Sequence, residues 1–502
     1  MKRVLIANRG EIAVRIIRAC HEDGIEAVAV YSEPDELSLH VQAADAAVEI
    51  GPARSSESYL SIPKILEAAK RTGADAIHPG YGFLAERADF AEAVIAAGLI
   101  FIGPPASAIA AMGGKTEARR RMAEAGVPIV PGTTEPLADV AEALARAEDL
   151  GFPVLLKAVA GGGGRGMRVA TSPDEVESGF SQASSEARSA FGDAAVYIER
   201  FMERPHHIEV QVLADDHGNT IHLGERECSV QRRHQKLIEE SPAPNVDMAM
   251  RSEMGAAAVK AAVSVGYRGV GTVEFLVDAS GAFYFLEMNT RLQVEHPVTE
   301  LVYGVDLVRE QLRIARGEPM GCPTGPLQPR GHAIECRITA EDPFAGFVPS
   351  AGRIEYLQVP TGPGVRWDGG IQSGTEISLY YDSLLGKVIV WGDTREHAIH
   401  RMRRALEELA IVGVATSQPF HRRVMEEPEF VAGKYDIGYV DSRGNALMKE
   451  TGSEEMLRAI AIAAALAEDE RRGARVPTRE RPSRYGQDSA WVRAARVEGL
   501  RR

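Results

Sequence analysis

Short apolar runs alternate with amphipathic stretches along the first hundred residues of the chain. One cycle begins with an apolar run at 4–8, continues through an amphipathic stretch at 11–24 and returns to an apolar run at 25–32. The apolar runs have the length of strands that are buried on both faces, and the amphipathic stretches have the length of helices. Their alternation predicts a parallel α/β domain over about residues 1–114.

The pattern changes beyond residue 131. Residues 152–170 read as a strand, a glycine-rich turn and a second strand, and they predict a small α+β subdomain over about 131–203. Proline and glycine hinges would let this subdomain move as a lid. Strands with alternating polarity follow at 208–223 and at 271–287.

We therefore predict an α/β and α+β chain of four parts. A middle domain at 115–330, which includes the lid, follows the N-terminal parallel domain. A C-terminal mixed β-sheet domain occupies 331–440, and a helical, basic tail occupies 441–502. The last 32 residues hold ten arginines against three acidic residues, and we interpret them as a solvated tail rather than a docking arm.

Two carboxylates face each other in the predicted hairpin of residues 271–289. A four-residue turn at 279–282 sets Glu274 opposite Glu287. Cross-strand neighbours lie ~5 Å apart, so the two carboxylates repel each other unless a cation neutralises them. With the neutral amide of Asn289 nearby, the oxygen ligands favour Mg²⁺ or Mn²⁺ over zinc.

Polar residues continue beyond this hairpin at every second position. In an extended chain this period points all of them to one side. The alternative is an edge strand with a solvated face, but the mixture of metal ligands with an anion-binding arginine favours a site. The five residues are Glu287, Asn289, Arg291, Gln293 and Glu295.

Phosphate-binding features complete the picture. The chain has only ten lysines. Lys115 lies just before a predicted helix, Lys157 ends an apolar strand, and Lys236 lies in the basic run QRRHQK, where a compact ammonium suits a phosphate oxygen. The glycine run at 161–166 would let backbone N–H groups close over an anion. No Walker A motif is present, and no GxGxxG follows the first strand. Lysines, a glycine flap and paired carboxylates together favour a nucleotide-dependent ligase.

The amino-acid composition excludes further classes of function. Lys and Arg number 57 against 71 Asp and Glu, a net charge of −14, so we expect no nucleic-acid partner and no anionic membrane surface. The four cysteines form no CxxC pair, which predicts neither a zinc site nor a disulfide framework. We find no signal peptide and no membrane span, and we expect a cytoplasmic protein.

Six strings of the chain form a recognisable set: IANRGEIAVRIIRA, HPGYGFLAE, GGGGRGMRV, ERECSVQRRHQK, EMNTRLQVEHPVTE and GHAIECRI. Together they resemble those of biotin carboxylase, an ATP-grasp enzyme and the ATP-dependent component of acetyl-CoA carboxylase and related biotin enzymes. The resemblance covers about residues 1–440, and its most specific string is EMNTRLQVEHPVTE. It implies that 115–330 is an ATP-grasp domain with a mobile lid.

The resemblance also implies the roles of individual residues. ATP would be held by Lys115, Lys157, Gly163, Gly164, Glu199, Arg200, Phe201, Met202, His207, Gln231 and His234, with Glu274 and Glu287 at its metal. Mg²⁺ or Mn²⁺ would be bound by Glu274, Glu287 and Asn289. Hydrogencarbonate and biotin would be bound by Lys236, Arg291, Gln293, Val294 and Arg337. Glu295 would be the general base, and Arg337 would stabilise the biotin enolate.

Partners follow from the same resemblance. No AMKM-like biotinyl-lysine motif is present, so we expect biotin on a separate biotin carboxyl carrier protein, with separate carboxyltransferase subunits. A homodimer is expected, with Arg18, Glu22 and Arg366 as interface candidates. Acetyl-CoA is the favoured final acceptor, while propionyl-CoA and pyruvate stay open. Ala160 and Gly114 depart from the family pattern and would alter the flap or the nucleotide affinity.

Two other functions remain as alternatives. Another ATP-grasp enzyme would activate a different carboxylate. A non-catalytic nucleotide-binding regulator on the same fold would be expected to lack Glu287, Arg291 or Glu295, and all three are present.

Overall fold

A five-stranded parallel sheet forms the N-terminal part of the structure, a computed structural model that describes residues 1–159, 166–325, 327–449, 458 and 462–468. Its strand order is β3-β2-β1-β4-β5, and every pair is parallel, as the alternating pattern predicts. The strands are β1 (Arg3–Ile6), β2 (Glu26–Ser32), β3 (Ala46–Gly51), β4 (Ala76–His78) and β5 (Ile100–Phe101). The helices are α1 (Gly10–Glu22), α2 (Leu39–Ala43), α3 (Ile62–Thr72), α4 (Ala88–Ala96) and α5 (Ala106–Gly113).

A small three-stranded antiparallel sheet with two helices forms the predicted lid. Its strand order is β7-β6-β8, and Leu156, Val176 and Ile198 lie in its own apolar core. The glycine run, including Gly163, Gly164 and Ala160, lies outside the described residues. After α6 (Lys115–Glu124), the lid elements are α7 (Val140–Leu150), β6 (Val154–Ala158), β7 (Met167–Ala170), α8 (Pro173–Phe191) and β8 (Val196–Arg200).

The central layer is one sheet of eight strands, and every neighbouring pair is antiparallel. In order across the sheet, the strands are β13 (Phe283–Asn289), β12 (Gly269–Val277), β9 (His206–Ala214), β10 (Thr220–Arg232), β11 (Gln235–Ser241), β14 (His332–Thr339), β21 (Leu384–Gly392) and β19 (Val365–Gly369). The middle part of the chain supplies β9 (His206–Ala214), β10 (Thr220–Arg232), β11 (Gln235–Ser241), α9 (Met248–Ser264), β12 (Gly269–Val277), β13 (Phe283–Asn289), α10 (His296–Tyr303) and α11 (Leu307–Ala315).

The C-terminal strands of this sheet all pair antiparallel, and they join the middle part of the chain where β14 pairs with β11. We predicted a mixed sheet there, and in this detail the prediction is wrong. The remaining elements are β14 (His332–Thr339), β15 (Glu341–Asp342), β16 (Val348–Pro349), β17 (Gly352–Arg353), β18 (Tyr356–Gln358), β19 (Val365–Gly369), β20 (Glu376–Ile377), β21 (Leu384–Gly392), α12 (Arg395–Glu408), β22 (Ala410–Val412), α13 (Gln418–Val424), α14 (Pro428–Val431) and α15 (Tyr439–Leu447).

One apolar core fixes the N-terminal domain against the middle domain. Ile12 and Ile16 of α1 belong to the same buried cluster as Leu292, Leu307 and Leu312. Burying a side chain of this size stabilises the fold by roughly 1.5–3 kcal/mol. Helix α1 therefore packs beneath the segment that follows β13, where the polar residues of the predicted site lie.

The chain divides into two units, 1–448 and 449–502. In the second unit, Arg458 and residues 462–468 are helical, and the other residues of the basic tail beyond Lys449 lie outside the described residues. Among the described helices, none is both long enough and apolar enough to cross a membrane.

Candidate active site

A cleft of about 1160 Å³ lies between the lid, the central sheet and the N-terminal domain. Most of the predicted site residues line it. Gln293 and Glu295 are buried, and each contacts residues of the cleft wall. The predicted residues in the wall are Lys115, Lys157, Glu199, Arg200, Phe201, Met202, His207, Gln231, His234, Lys236, Glu274, Glu287, Asn289, Arg291, Val294 and Arg337.

The hairpin β12–β13 sets Glu274 directly opposite Glu287, as predicted. The predicted turn is wrong in length. Val277 pairs with Phe283, and the Asp278 amide donates to Ala282 O, so the turn is one residue shorter. An extra residue, Leu286, forms a β-bulge that restores the register before Glu287.

The two opposed carboxylates have different surroundings. Glu274 is buried and accepts hydrogen bonds from Lys236 Nζ at 3.0 Å and His207 Nε2 at 2.9 Å. Although burial opposes ionisation, these cations hold the pKa of Glu274 well below its usual range. Glu287 points into the cleft, and the loss of solvation there, together with the nearby Glu274, raises its pKa. A carboxylate crowded in this way is stabilised by a divalent cation.

Asn289 adds an oxygen ligand to this pair. Its Oδ1 accepts from Arg291 Nη2 at 3.1 Å, and its buried Nδ2 has no hydrogen-bond partner among the described residues. The oxygen-only set of Glu274, Glu287 and Asn289 fits Mg²⁺ or Mn²⁺.

Two other groups of potential metal ligands surround Lys236. In each group the ligand atoms lie within 4.8 Å of one another. Both groups are already neutralised by an ammonium, because Lys236 Nζ lies 2.6 Å from Glu209 Oε2 and 2.7 Å from Glu295 Oε1, besides its contact with Glu274. The groups are His207 with Glu209 and Glu274, and Glu209 with Cys228 and Glu295.

The segment after β13 leaves the sheet, although the two-residue period predicted an extended chain to Glu295. The strand ends at Asn289, Leu292 is buried in the core, and Glu295 is the residue before α10. The chain must turn there because the helix begins at His296. In this segment the prediction is wrong about the backbone, yet the side chains still meet.

Arg291 makes several of the contacts in this turn. Its guanidinium contacts Gln293 Oε1 at 2.9 Å and Glu86 Oε2 at 2.8 Å, besides Asn289. Gln293 Nε2 in turn donates to Glu274 Oε1 at 3.3 Å. Glu86, the last residue of the string HPGYGFLAE, was not among the predicted site residues.

Glu295 is buried between two cations. Its Oε1 accepts from Lys236 Nζ, and its Oε2 accepts from Arg337 Nη2 at 2.8 Å. Although burial acts in the other direction, Lys236 and Arg337 hold the pKa of Glu295 well below its usual range. Arg337 also contacts Glu239 Oε1 through Nε at 2.6 Å. Glu295 is therefore an ionised acceptor, and each of its oxygens accepts a hydrogen bond from a cation.

Three of the residues that hold this cluster were missed by the sequence analysis. Glu209, Arg226 and Glu239 are buried and contact the residues above. Glu209 pairs with both Arg226 and Lys236, and Arg226 also reaches Gln211, Thr272 and Thr299. A charged residue inside an apolar strand, as in HHIEVQV and KLIEES, is the signal that marks such positions.

Two lysines bring positive charge to the lid side of the cleft. Lys115 is the first residue of α6, and Lys157 lies on β6 in an ion pair with Glu199, which Arg119 also contacts at 3.1 Å. Burial and the nearby Lys157 lower the pKa of Lys115. Two ammonium groups this close suit a bound polyanion such as a phosphate chain.

A tight turn between β10 and β11 carries His234. Arg233 and His234 both have positive φ, at 49° and 64°, although neither is glycine. The twist of a two-residue hairpin requires this conformation at both positions. It places Gln231 opposite Lys236 on the cleft wall. His207, predicted at the nucleotide, bonds to Glu274.

A lid over a sheet-lined cleft, with lysines near paired carboxylates, defines an ATP-grasp ligase. Three family models match in succession: "Biotin carboxylase, N-terminal domain" at 1–109, "Carbamoyl-phosphate synthase L chain, ATP binding domain" at 114–322, and "Biotin carboxylase C-terminal domain" at 335–442. The chain belongs to the biotin carboxylase family.

Curated relatives agree over most of their length. The chain is 56% identical to the biotin carboxylase of Nostoc sp., covering 87% of this chain and 98% of the relative. It is 53% identical to a pyruvate carboxylase subunit from Methanothermobacter thermautotrophicus, covering 88% and 89%.

A solved structure agrees as well. It is the biotin carboxylase domain dimer of Hydrogenobacter thermophilus 2-oxoglutarate carboxylase, in complex with Mg-ADP, ADP and bicarbonate. The TM-score is 0.86 and the identity 47%, over 90% of this chain and 99% of that one.

Proposed function

We propose that this chain carboxylates biotin with ATP and hydrogencarbonate, and releases ADP and phosphate. The observation that carries the proposal is the buried carboxylate of Glu295, held between Lys236 and Arg337, two residues that line the cleft. This arrangement places a base, an anion-binding ammonium and an anion-stabilising guanidinium within hydrogen-bond reach of one another.

In the proposed reaction, Glu295 removes the proton of hydrogencarbonate. The oxygen that loses the proton attacks the γ-phosphorus of ATP, ADP leaves, and carboxyphosphate forms. Carboxyphosphate breaks down to CO₂ and phosphate, the phosphate takes the proton from the ureido nitrogen of biotin, and that nitrogen attacks CO₂. Arg337 stabilises the biotin enolate during this transfer.

Each remaining group has a part in this scheme. Lys236, Arg291, Gln293 and the Val294 backbone hold hydrogencarbonate, and Lys115 and Lys157 hold phosphate oxygens of ATP. Glu274, Glu287 and Asn289 hold Mg²⁺ or Mn²⁺, which neutralises phosphate charge when bound. The lid excludes water from carboxyphosphate, which hydrolyses readily. Nucleotide contacts are also assigned to Gly163, Gly164, Glu199–Met202, His207, Gln231 and His234.

The contacts of Glu295 explain how its basicity can be controlled. A carboxylate with a strongly lowered pKa is a weak base. Hydrogencarbonate that takes over the contact with Lys236 would leave Glu295 less stabilised as an anion, and its pKa would rise. Substrate binding itself would then activate the base.

The biotin arrives on a biotin carboxyl carrier protein in this proposal, and carboxyltransferase subunits use the product. Acetyl-CoA is the acceptor we favour. The similarity to a pyruvate carboxylase subunit supports pyruvate as the alternative, because the transferase selects the acceptor. A homodimer, a cytoplasmic location and domain boundaries near 114, 330 and 440 are part of the same proposal.

ADP release by the purified chain tests the proposal. Mg-ATP is supplied with hydrogencarbonate and free biotin, separately and together. Release that requires both substrates supports biotin carboxylation. Release that depends on neither, with ATP still bound, would contradict it.

A further inference from the structure

Lys387 is a fully buried lysine to which neither the family resemblance nor the proposed reaction gives a role. It lies on β21, in the C-terminal part of the chain, and none of its side chain is exposed to solvent. Placing an ammonium in such a position costs several kcal/mol unless charges and hydrogen bonds compensate. Its contacts therefore indicate what the charge does.

The ammonium joins two segments that are distant in sequence. Lys387 Nζ donates a hydrogen bond of 2.6 Å to the Val294 carbonyl and lies 3.3 Å from Glu11 Oε1 of α1. Tyr81, in the cleft wall, donates its hydroxyl to the same Glu11 oxygen. Although burial opposes it, the charges of Glu11, Glu335 and Asp368 raise the pKa of Lys387, so the side chain stays protonated.

The bond to Val294 fixes the peptide plane that leads into Glu295. A peptide unit is planar and rigid, so its carbonyl and the following Cα move together. Release of the Val294 carbonyl would let this plane rotate and shift Glu295 relative to Lys236 and Arg337. Displacements of about 1 Å cost roughly 10²-fold in rate in such sites.

We infer that Lys387 is a positioning residue for hydrogencarbonate: it holds the 291–295 turn so that Arg291, Gln293 and Glu295 converge on the substrate. A role in stability alone is a poor explanation, because well-packed apolar side chains commonly replace buried ion pairs without loss of stability. The inference rests on the proposed function.

Two matched variants separate positioning from charge pairing. Glu11→Gln keeps the Val294 bond and the acceptor for Tyr81, and removes one of the three carboxylate charges around Lys387. Glu11→Gln with Lys387→Met removes the bond, and it leaves no Glu11 carboxylate without its cation. Thermal unfolding of both variants and of the wild-type chain is recorded first.

The assay is ADP release by the full chain with Mg-ATP and free biotin, at varied hydrogencarbonate and then at varied ATP. We expect the double variant to raise the KM for hydrogencarbonate at least tenfold and to lower kcat. The KM for ATP should stay within twofold in the double variant, and both KM values should stay within twofold in Glu11→Gln.

Three results would overturn the inference. The first is a double variant with the wild-type KM for hydrogencarbonate. The second is a Glu11→Gln variant whose KM for hydrogencarbonate rises as much as that of the double variant. The third is loss of cooperative unfolding in the double variant, which would make Lys387 a structural residue. A wild-type chain without hydrogencarbonate-dependent release would instead overturn the proposed function, and the inference with it.

Discussion

The carboxylate of Glu295 lies 2.7 Å from the ammonium of Lys236, although the two residues are 59 positions apart in the chain. Lys236 comes from the central sheet and Glu295 from the turn after its edge strand. Lys236 also pairs with Glu209, which pairs in turn with Arg226, so the Glu295 carboxylate is tied to a chain of charged residues in the central sheet.

Replacement of Glu295, the proposed base, should slow the reaction strongly and leave nucleotide binding intact. Glu295→Gln keeps the shape of the side chain and should lower hydrogencarbonate-dependent ADP release by about 10²–10⁴-fold, the usual contribution of a general base. The affinity for Mg-ATP, measured by calorimetry, should stay within a few-fold. ADP release within tenfold of the wild-type rate would contradict the assignment of the base.

We expect Arg337 to act through the planar, forked geometry of its guanidinium group as well as through its positive charge. Arg337→Lys keeps a cation beside Glu239 and Glu295 but cannot bridge both carboxylates with the same planar geometry. We expect biotin-dependent ADP release to fall at least tenfold, with nucleotide binding unchanged. Arg353→Lys, at an exposed arginine of β17, is the control. Equal rates for the two variants would remove Arg337 from the enolate site.

Glu287 should determine how much Mg²⁺ the reaction requires. Glu287→Gln removes one of the two opposed carboxylates, so the Mg²⁺ concentration that gives half-maximal ADP release should rise at least tenfold. The exposed Glu355→Gln provides the comparison. The metal assignment fails if the Glu287→Gln variant follows the same Mg²⁺ titration curve as the wild-type chain.

Glu240, a buried carboxylate away from the cleft, should account for part of the stability that the fold loses in acid. Burial opposes the ionisation of Glu240, yet His332, at 2.5 Å, and Arg395 lower its pKa to about 2 from an ordinary 4.5. Because the folded-state pKa is depressed, its stabilisation is present above pH ~4.5 and is lost as the pH falls towards 2. The difference is on the order of 3 kcal/mol.

Urea unfolding between pH 2.5 and 7 measures this contribution. In Glu240→Gln, the free energy of unfolding should be lower at pH 7, and its decrease between pH ~4.5 and 2.5 should be shallower than in the wild-type chain. Parallel pH profiles for variant and wild type would show that Glu240 titrates normally.

The sequence predicted the fold class and the opposed pair of Glu274 and Glu287, because periodicity and residue type carry that information locally. The pair was reached through a turn of the wrong length, and the Leu286 bulge compensated for the error. A bulge depends on packing against the neighbouring strand, which no local pattern records.

Long-range contacts could not be predicted from the sequence for the same reason. Nothing in the string RRHQ indicates that Arg233 and His234 adopt positive φ, since both are ordinary side chains. The contact of Lys387 with Val294, 93 positions away, depends on β14 joining β11 in one sheet. The prediction of a C-terminal mixed β-sheet domain did not include this pairing.

The pairing of β11 with β14 also limits how the gene for this chain can be divided. A fragment that ends near residue 330 would expose the edge of β11, and the complementary fragment would expose the edge of β14. Exposed edges of this kind promote aggregation. The lid has its own small sheet and core and is free of this restriction. We therefore expect the two halves of the large sheet to unfold in a single thermal transition. We also expect homologous recombination to be tolerated far better at the borders of the lid than at residue 330.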